Sequence, residues 1–182
     1  MSFVPATDPL ALASAFLAIL CLSVWPLFRS RQAMLLAQLA ALGWLIIHYA
    51  LVGAMSAAIV NLLGAIQIVV SLLAGTRPRW HWVGYVLALL IVAASLATWQ
   101  GMPSAFAAVG MALVAIGRAQ VGAQAMRILV LAGGPFWLVH DVLIASPIVI
   151  ADAACLLIGL WSLMRPAAPN ALQSWVPGEK RL

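Results

Sequence analysis

Asp152 places an ionisable carboxyl group within a long apolar stretch, where its free-energy cost is higher than that of any other residue in this sequence. An ionisable carboxyl inside a membrane span costs on the order of 2 to 3 kcal/mol and usually faces a bundle interior or water. It could hold a proton or bind a polar solute. It could equally accept a bond from His140 and lock two helices together, so both interpretations stay open.

Other polar and aromatic side chains in apolar stretches extend this set. Amides such as Asn61 could line a solute path or join helices by hydrogen bonds, and an imidazole could tune protonation or meet interfacial water. An indole could stack on a sugar or a cation, or simply pack. The candidate solute-binding residues are therefore Asn61, Asp152, His48, His140, Trp44, Trp137 and Gln67.

Catalytic and metal-binding patterns do not accompany these residues. The sequence has no phosphate loop, no Ser-His-Asp spacing and no HExxH motif, and Cys21 and Cys155 stand in apolar runs without a CxxC or His cluster. An intramembrane enzyme using Asp152 and His140 would lack a nucleophile or metal set. We therefore expect a protein that is not an enzyme and that uses no cofactor and no metal.

Composition places these residues in a membrane. The chain has 66% hydrophobic and 7% charged residues, which is too little polar surface to coat a soluble globule. The net charge of +5 would suggest a nucleic-acid partner in a soluble protein, but here the basic residues stand at the ends of apolar segments. The expected partner is the lipid bilayer, with no nucleic acid.

With a span of about 20 residues as a ruler, the chain divides into seven apolar segments. They cover residues 9–28, 33–53, 55–75, 80–99, 103–118, 125–145 and 147–165. Asp8-Pro9 and Ser146-Pro147 have the chemistry of helix starts, and Gly53, Gly75 and Gly101 stand where helices should end. The segment at 103–118 is short and rich in Ala and Gly, so it is the least secure span, and six spans would follow if it failed to cross.

Positive charge decides between seven spans and six. With seven, all nine Lys and Arg residues fall on one side of the bilayer. They are Arg29, Arg31, Arg77, Arg79, Arg118, Arg127, Arg165, Lys180 and Arg181. The N-terminus is then predicted outside and the C-terminus in the cytoplasm, with an aromatic belt formed by Trp25, Trp80, Trp82, Trp99 and Trp161 near the two interfaces.

The sequence also shows a weak internal repeat. Gln32-Ala33-Met34 recurs as Gln124-Ala125-Met126, and His48 corresponds to His140. The repeat predicts an all-α polytopic membrane protein of seven transmembrane helices, arranged as three plus one plus three in parallel. Its parts are a first triple-helix bundle at 9–75, a linker helix at 80–99, a second bundle at 103–165 and a cytoplasmic tail at 166–182 within one membrane domain, 1–182.

The repeat predicts a common depth for four polar residues. At 1.5 Å per residue, His48 and Asn61 lie about 8 to 9 Å below the outer boundary, and His140 and Asp152 lie at comparable depths. We expect these four side chains to share a cavity on the pseudo-two-fold axis. Asp141 is expected at the interface.

Several short motifs give the chain a family resemblance. They are Arg31-Gln32, the Trp44 to His48 spacing, the Asn61 to Gly64 step, Thr98-Trp99-Gln100-Gly101 and Phe136-Trp137-Leu138 to His140. Through these motifs, residues 29–165 resemble the YgjV family of bacterial inner-membrane proteins. That family resembles, more distantly, the SWEET and PQ-loop transporters, which use two parallel triple-helix bundles and one linker helix. The Pro-Gln dipeptide of the PQ-loop group is absent here.

These observations predict an inner-membrane protein that carries a small polar solute, by a passive or a proton-coupled route. The alternative is a non-catalytic membrane scaffold or receptor whose polar residues only join helices. A repeat can supply both bundles within one chain, and a homodimer stays an open alternative.

Overall fold

The computed structural model describes residues 8–53, 55–75, 77, 80–97, 99, 101–143 and 148–164. These residues form seven α-helices, one 3-10 turn and no strand, so the prediction of an all-α protein is confirmed. The helices are α1 (Pro9–Val24), α2 (Arg31–Leu51), α3 (Met55–Ala74), α4 (His81–Ala97), α5 (Met102–Ala119), α6 (Ala123–Leu143) and α7 (Val149–Met164), and the 3-10 turn at Trp25–Leu27 follows α1.

The first helix begins where its sequence predicts. The Asp8 carboxylate accepts a hydrogen bond of 2.9 Å from the backbone N–H of Leu10, and Pro9 occupies the first helical position. Such a cap satisfies a donor that the first turn leaves without an intrahelical partner. The predicted start at Ser146-Pro147 lies outside the described residues.

Three glycines end or separate helices as predicted. Gly53, Gly75 and Gly101 have φ values of +76°, +54° and +95°. Residues with a Cβ rarely adopt this conformation, so glycine is the residue that can turn the chain there. The predicted gaps after α2, α3 and α4 are confirmed.

Span lengths differ from the prediction in one respect. Among the described residues, five helical stretches are long and apolar enough to cross a membrane, and Met102–Ala119 is one of them with 18 residues. The apolar stretches Trp82–Ala97 and Val149–Met164 are shorter. The segment we expected to be least secure therefore forms a full-length helix, and the short helices are the fourth and the seventh.

Packing follows chain order. Helix α2 contacts α1 and α3, α6 contacts α5 and α7, and α4 contacts α3 and α5. Contact between α1 and α7 brings the two ends of the series together. The two triple-helix bundles are compatible with these contacts, but the internal repeat stays a prediction.

The inner and outer surfaces of the bundle have distinct compositions. Its main core contains fully buried Met34, Leu35, Ile68 and Met126. Large apolar side chains such as Leu73, which is 77% exposed, cover the outside. An apolar exterior of this kind is suited to lipid contact.

Helices α5 and α6 approach most closely through glycines. A Cβ added to Gly133 would lie 2.8 Å from the carbonyl oxygen of Gly110, a separation that a real side chain does not tolerate. Small residues at such crossings let two backbones pack directly. This contact fixes α5 beside α6 and sets the register of the polar groups at both ends.

The prediction of an aromatic belt is wrong for Trp25. Trp25 is 2% exposed and packs in the main core, because the 3-10 turn after α1 folds it against α7. Trp80, Trp82, Trp99 and Trp161 are exposed, as an interfacial role requires.

Candidate functional site

Two histidines occupy equivalent places in the two halves of the chain. The Nδ1 atom of His48 lies 3.0 Å from the carbonyl oxygen of Ala11, and that of His140 lies 2.8 Å from the carbonyl oxygen of Pro103. In each case the partner lies 37 residues earlier in the chain. Each imidazole therefore joins the end of one helix to the start of the preceding antiparallel helix. This contact gives both histidines a structural role.

A carboxyl pair lies beside these histidines. The carboxyl groups of Asp141 and Asp152 lie within hydrogen-bonding reach of each other across the gap between α6 and α7, and Tyr49 of α2 is close enough to interact electrostatically with both. Two carboxyl groups that share a hydrogen bond also share a proton. We call Asp141, Asp152 and Tyr49 the carboxyl cluster.

Asp141 is buried within the bundle, and its expected place at the membrane interface stays a prediction. Its side chain is 6% exposed. The reason is its partner: Asp152 stands in the first turn of α7 and faces back toward the end of α6. Asp152 therefore pairs with Asp141 rather than with His140, whose Nδ1 bonds Pro103.

Three of the four residues predicted to share one depth stand near helix ends. His48 and His140 stand in the last turns of α2 and α6, and Asp152 stands in the first turn of α7. Their common depth in the membrane stays a prediction.

Asn61 lies apart from the carboxyl cluster. Its amide donates a 2.8 Å bond to the carbonyl oxygen of Ala57 on its own helix. Helix α3 packs on α2, α4 and α5, whereas α7 packs on α6 and α1. The structure thus gives Asn61 a local partner and does not bring it to Asp152.

The two candidate tryptophans pack against the core. Trp44 and Trp137 are partly buried against the main cluster, and Trp137 also contacts a second cluster around Ile91 and Met111. The ring of Trp137 meets that of His140 edge-on, with centroids 5.5 Å apart. This contact orients His140 beside α5.

A second polar group lies at the opposite end of the bundle, and its most buried charge is Arg118. The side chain is 5% exposed, in the last turn of α5, and its Nε donates a 2.8 Å bond to the Gln38 side-chain oxygen. Gly64 makes room for it, since a Cβ there would lie 3.1 Å from the Arg118 Nη1 atom. The guanidinium therefore lies among α2, α3 and α5.

Gln67 belongs to the same end. Its amide nitrogen donates bonds of 3.0 Å and 2.8 Å to the carbonyl oxygens of Gly84 and Ala115, so it ties α3 to α4 and α5. This meets the expectation that a buried amide needs partners. We call Arg31, Gln38, Gln67 and Arg118 the guanidinium cluster.

Arg31 connects helix ends within this cluster. Its guanidinium donates to the carbonyl oxygens of Gln120 at 2.7 Å, Ser71 at 3.2 Å and Arg118 at 3.2 Å. These oxygens lie in or just beyond the last turns of α3 and α5, where carbonyls lack intrahelical donors and a positive charge is favoured. Arg31 thus stabilises two helix C-termini at once.

Two buried amide groups of the guanidinium cluster have no hydrogen-bond partner, one a donor and the other an acceptor. Gln38 is 2% exposed and its amide nitrogen has no partner, and Gln67 is fully buried and its amide oxygen has none. A shallow crevice with room for about one water molecule (about 10 Å³) is lined by Arg31, Ser71 and Gly84 among others. Gly84 is also the residue whose carbonyl accepts from Gln67.

The sequence singled out Gln67 but not the rest of this cluster. The positions of Arg31 and Arg118 were explained by membrane orientation, and Gln38 was not among the candidates. The available signal was spacing, because Gln38 lies about two turns after Arg31 on one helix face. An arginine in the last turn of an apolar helix can also extend its long side chain along the neighbouring helices. The same residue can therefore orient the helix in the membrane and be buried within the bundle.

In the part of the chain that the structure describes, no group of three or more His, Cys, Asp or Glu side chains could hold a metal ion. Cys21 and Cys155 are free.

Comparison with known protein families identifies a match over most of the chain. A family model described as Imp-YgjV, bacterial inner membrane protein, matches residues 10–168. No curated protein and no solved structure matches the chain.

Proposed function

The chain belongs to the Imp-YgjV family of bacterial inner membrane proteins, and we propose that it carries a small polar solute across that membrane. The proposal is supported chiefly by the carboxyl cluster. A buried carboxyl pair that holds one proton is costly in a membrane protein, and intramembrane ionisable groups commonly mark solute or proton paths.

The cluster suits coupling between solute and proton. Asp141 and Asp152 stand on the facing ends of α6 and α7, with Tyr49 contributed by α2. A solute that accepts or donates hydrogen bonds could displace one carboxyl from the other and release the shared proton. The side chains available for this step come from both halves of the chain.

We further propose the orientation and the repeat on which alternating access would depend. The positive-inside rule supports an outer N-terminus and a cytoplasmic C-terminus. The matched contacts of His48 and His140 support a parallel three plus one plus three arrangement, because each links its helix to the preceding one at the same separation.

Purified protein in proteoliposomes tests the proposal. Vesicles containing a pH-sensitive dye are given a panel of amino acids, sugars and small carboxylic acids, with radiolabel uptake measured in parallel. We expect saturable, protein-dependent uptake of at least one compound together with a proton flux. Asp152→Asn should abolish the proton flux, because the pair would no longer exchange a proton.

Asp8→Asn is the matched control. It makes the same chemical change at the cap of α1, where Asn caps about as well as Asp, and it should leave flux unchanged. Uptake no greater than that of empty vesicles across the whole panel would contradict the proposal. So would a folded Asp152→Asn protein with wild-type proton flux.

A membrane scaffold is the second candidate, and a specific observation favours it. His48, His140 and Gln67 all bond backbone carbonyls of other helices, which is how polar residues join helices. A scaffold requires no uptake in the vesicle assay. It predicts instead that substitutions in the carboxyl cluster act on stability alone.

A further inference from the structure

Two arginines meet at the end of the bundle where α2 and α6 begin. Arg29 lies just before α2, and Arg127 lies in the second turn of α6. Although far apart in sequence, the two side chains are close enough to interact electrostatically. Like charges at short range repel, so this arrangement is unfavourable unless a negative charge accompanies it. Membrane orientation alone does not require the two arginines to meet.

The carboxylates that the structure describes lie at the other end of the bundle. Asp8 caps the start of α1, whereas Arg29 follows the end of that helix. Asp141 lies about 20 Å along α6 from Arg127 at 1.5 Å per residue, and Asp152 lies beside Asp141. That separation exceeds the roughly 8–10 Å over which charges act at ordinary salt concentrations. None of these three carboxylates therefore neutralises the two arginines.

Backbone contact holds one of the two guanidinium groups in place. The Arg127 Nη2 atom donates a 2.5 Å bond to the carbonyl oxygen of Phe28, the residue directly before Arg29, and the Arg127 Nε is buried without a partner. The Arg29 side chain is exposed. The Phe28 carbonyl is neutral and takes up one of the five donors of the Arg127 guanidinium, so both charges keep donors for an acceptor from outside the chain.

Exposed apolar side chains adjoin both arginines in sequence. Leu27 and Phe28, just before Arg29, are 44% and 40% exposed, and Ile128, just after Arg127, is 49% exposed. A free inorganic anion would use the two charges and leave these side chains uncovered. A molecule with an anionic head and a hydrocarbon tail matches both the charge and the apolar surface.

We propose that Arg29 and Arg127 together bind the headgroup of an anionic phospholipid, whose acyl chains cover the apolar side chains beside them. The phosphodiester supplies the negative charge that the pair of arginines lacks, and guanidinium groups pair well with phosphate oxygens. Such a site holds one lipid at a defined place on the bundle, in addition to the general contact of the chain with the bilayer. The inference concerns lipid binding alone and stands whether or not the chain transports.

Native mass spectrometry of the full chain tests the site. The protein is purified in neutral detergent and stripped of lipid, and phosphatidylglycerol or phosphatidylcholine with the same acyl chains is added. We expect the first phosphatidylglycerol to bind about tenfold more tightly than the first phosphatidylcholine, because only the former has a net negative charge. Equal affinities would overturn the proposal. So would displacement of the lipid by an equal concentration of glycerol phosphate, which would assign the arginines to a soluble phosphate compound.

Three variants locate the site on the chain. Arg29→Gln and Arg127→Gln should each lower phosphatidylglycerol affinity about fivefold and leave phosphatidylcholine affinity unchanged. Arg77→Gln removes the same charge from another exposed arginine, after α3, and should stay within about twofold of wild type. Arg29 is exposed, so Arg29→Gln should keep the Tm of wild type and gives the decisive result. Wild-type phosphatidylglycerol affinity in Arg29→Gln, or an equal loss in Arg77→Gln, would overturn the assignment.

Discussion

The carboxyl cluster and the guanidinium cluster lie at opposite ends of one helix bundle and solve the burial of charge in opposite ways. Asp141 and Asp152 satisfy each other within the chain, and the histidines beside them bond backbone carbonyls. Arg118 has only a neutral amide, and its neighbours keep an unused donor and an unused acceptor. The first region satisfies its polar groups within the chain, whereas the second leaves two amide groups without partners.

The difference predicts how each kind of group responds to substitution. Groups that satisfy one another lose a partner when one of them changes, so substitutions of Arg31 or of the carboxyl cluster should lower stability. Groups left unsatisfied, such as the Gln38 amide nitrogen, should tolerate or even gain from a substitution that completes them. We expect four changes in stability, from the largest to the smallest.

Arg31→Ala should have the largest effect, a loss of about 3 kcal/mol in the free energy of unfolding, because three carbonyl oxygens at two helix ends lose a charged donor. Denaturant unfolding in detergent micelles measures it. Arg29→Ala is the control, since Arg29 is exposed two residues away and its loss should change stability by less than about 0.5 kcal/mol. Equal effects would show that Arg31 serves membrane orientation only.

Asp152→Ala should cost about 2 kcal/mol, because it leaves buried Asp141 without its partner. Asp152→Asn keeps a donor for Asp141 and should cost less than about half of that. The comparison uses the midpoint of the same unfolding transition. If the two variants were equally unstable, the hydrogen bond between the carboxyls would not be the stabilising contact.

Gln38→Glu should raise stability by about 1 kcal/mol. The bonded oxygen that faces the Arg118 Nε becomes part of a carboxylate, and Arg118 is already buried, so only one further charge must be desolvated. Thermal unfolding in detergent micelles measures the change. A destabilised Gln38→Glu protein would mean that the cluster is already neutralised.

His48→Ala and His140→Ala should each cost about 1 kcal/mol, the ordinary value of one hydrogen bond to a carbonyl. The two losses should be similar and should add in the double variant, because distant sites rarely couple. The unfolding midpoints of the two single variants and of the double variant test whether the losses are similar and additive. A large difference between the single variants would argue against equivalent places in a repeat.

The sequence predicts the helices better than it predicts what they bring together. Apolar length, the Asp8 cap and the glycines at Gly53, Gly75 and Gly101 determine local structure, and those features are confirmed. They act within a few residues of the chain, so pattern alone can locate them.

Side-chain direction over long distances is harder to predict. The pairing of Asp141 with Asp152 depends on where α6 ends and α7 begins, and an error of a few residues moves a carboxyl from the interface to the interior. Arg118 was explained by topology because its position at a helix end satisfied the charge rule. Its burial depends on Gly64 and Gln38, which lie on other helices, and no local pattern connects them.

The reach of Arg31 has a consequence for synthesis. Its contacts with Arg118 and Gln120 join residues that are 87 and 89 positions apart in sequence, so they cannot form until the fifth helix has left the ribosome and inserted. Until then the guanidinium of a nascent chain lacks those two acceptors, and long-range closure of this kind is slow. The half-made protein should therefore be the form most open to membrane proteases, and a chain that stops after α4 should be cleared rather than stored.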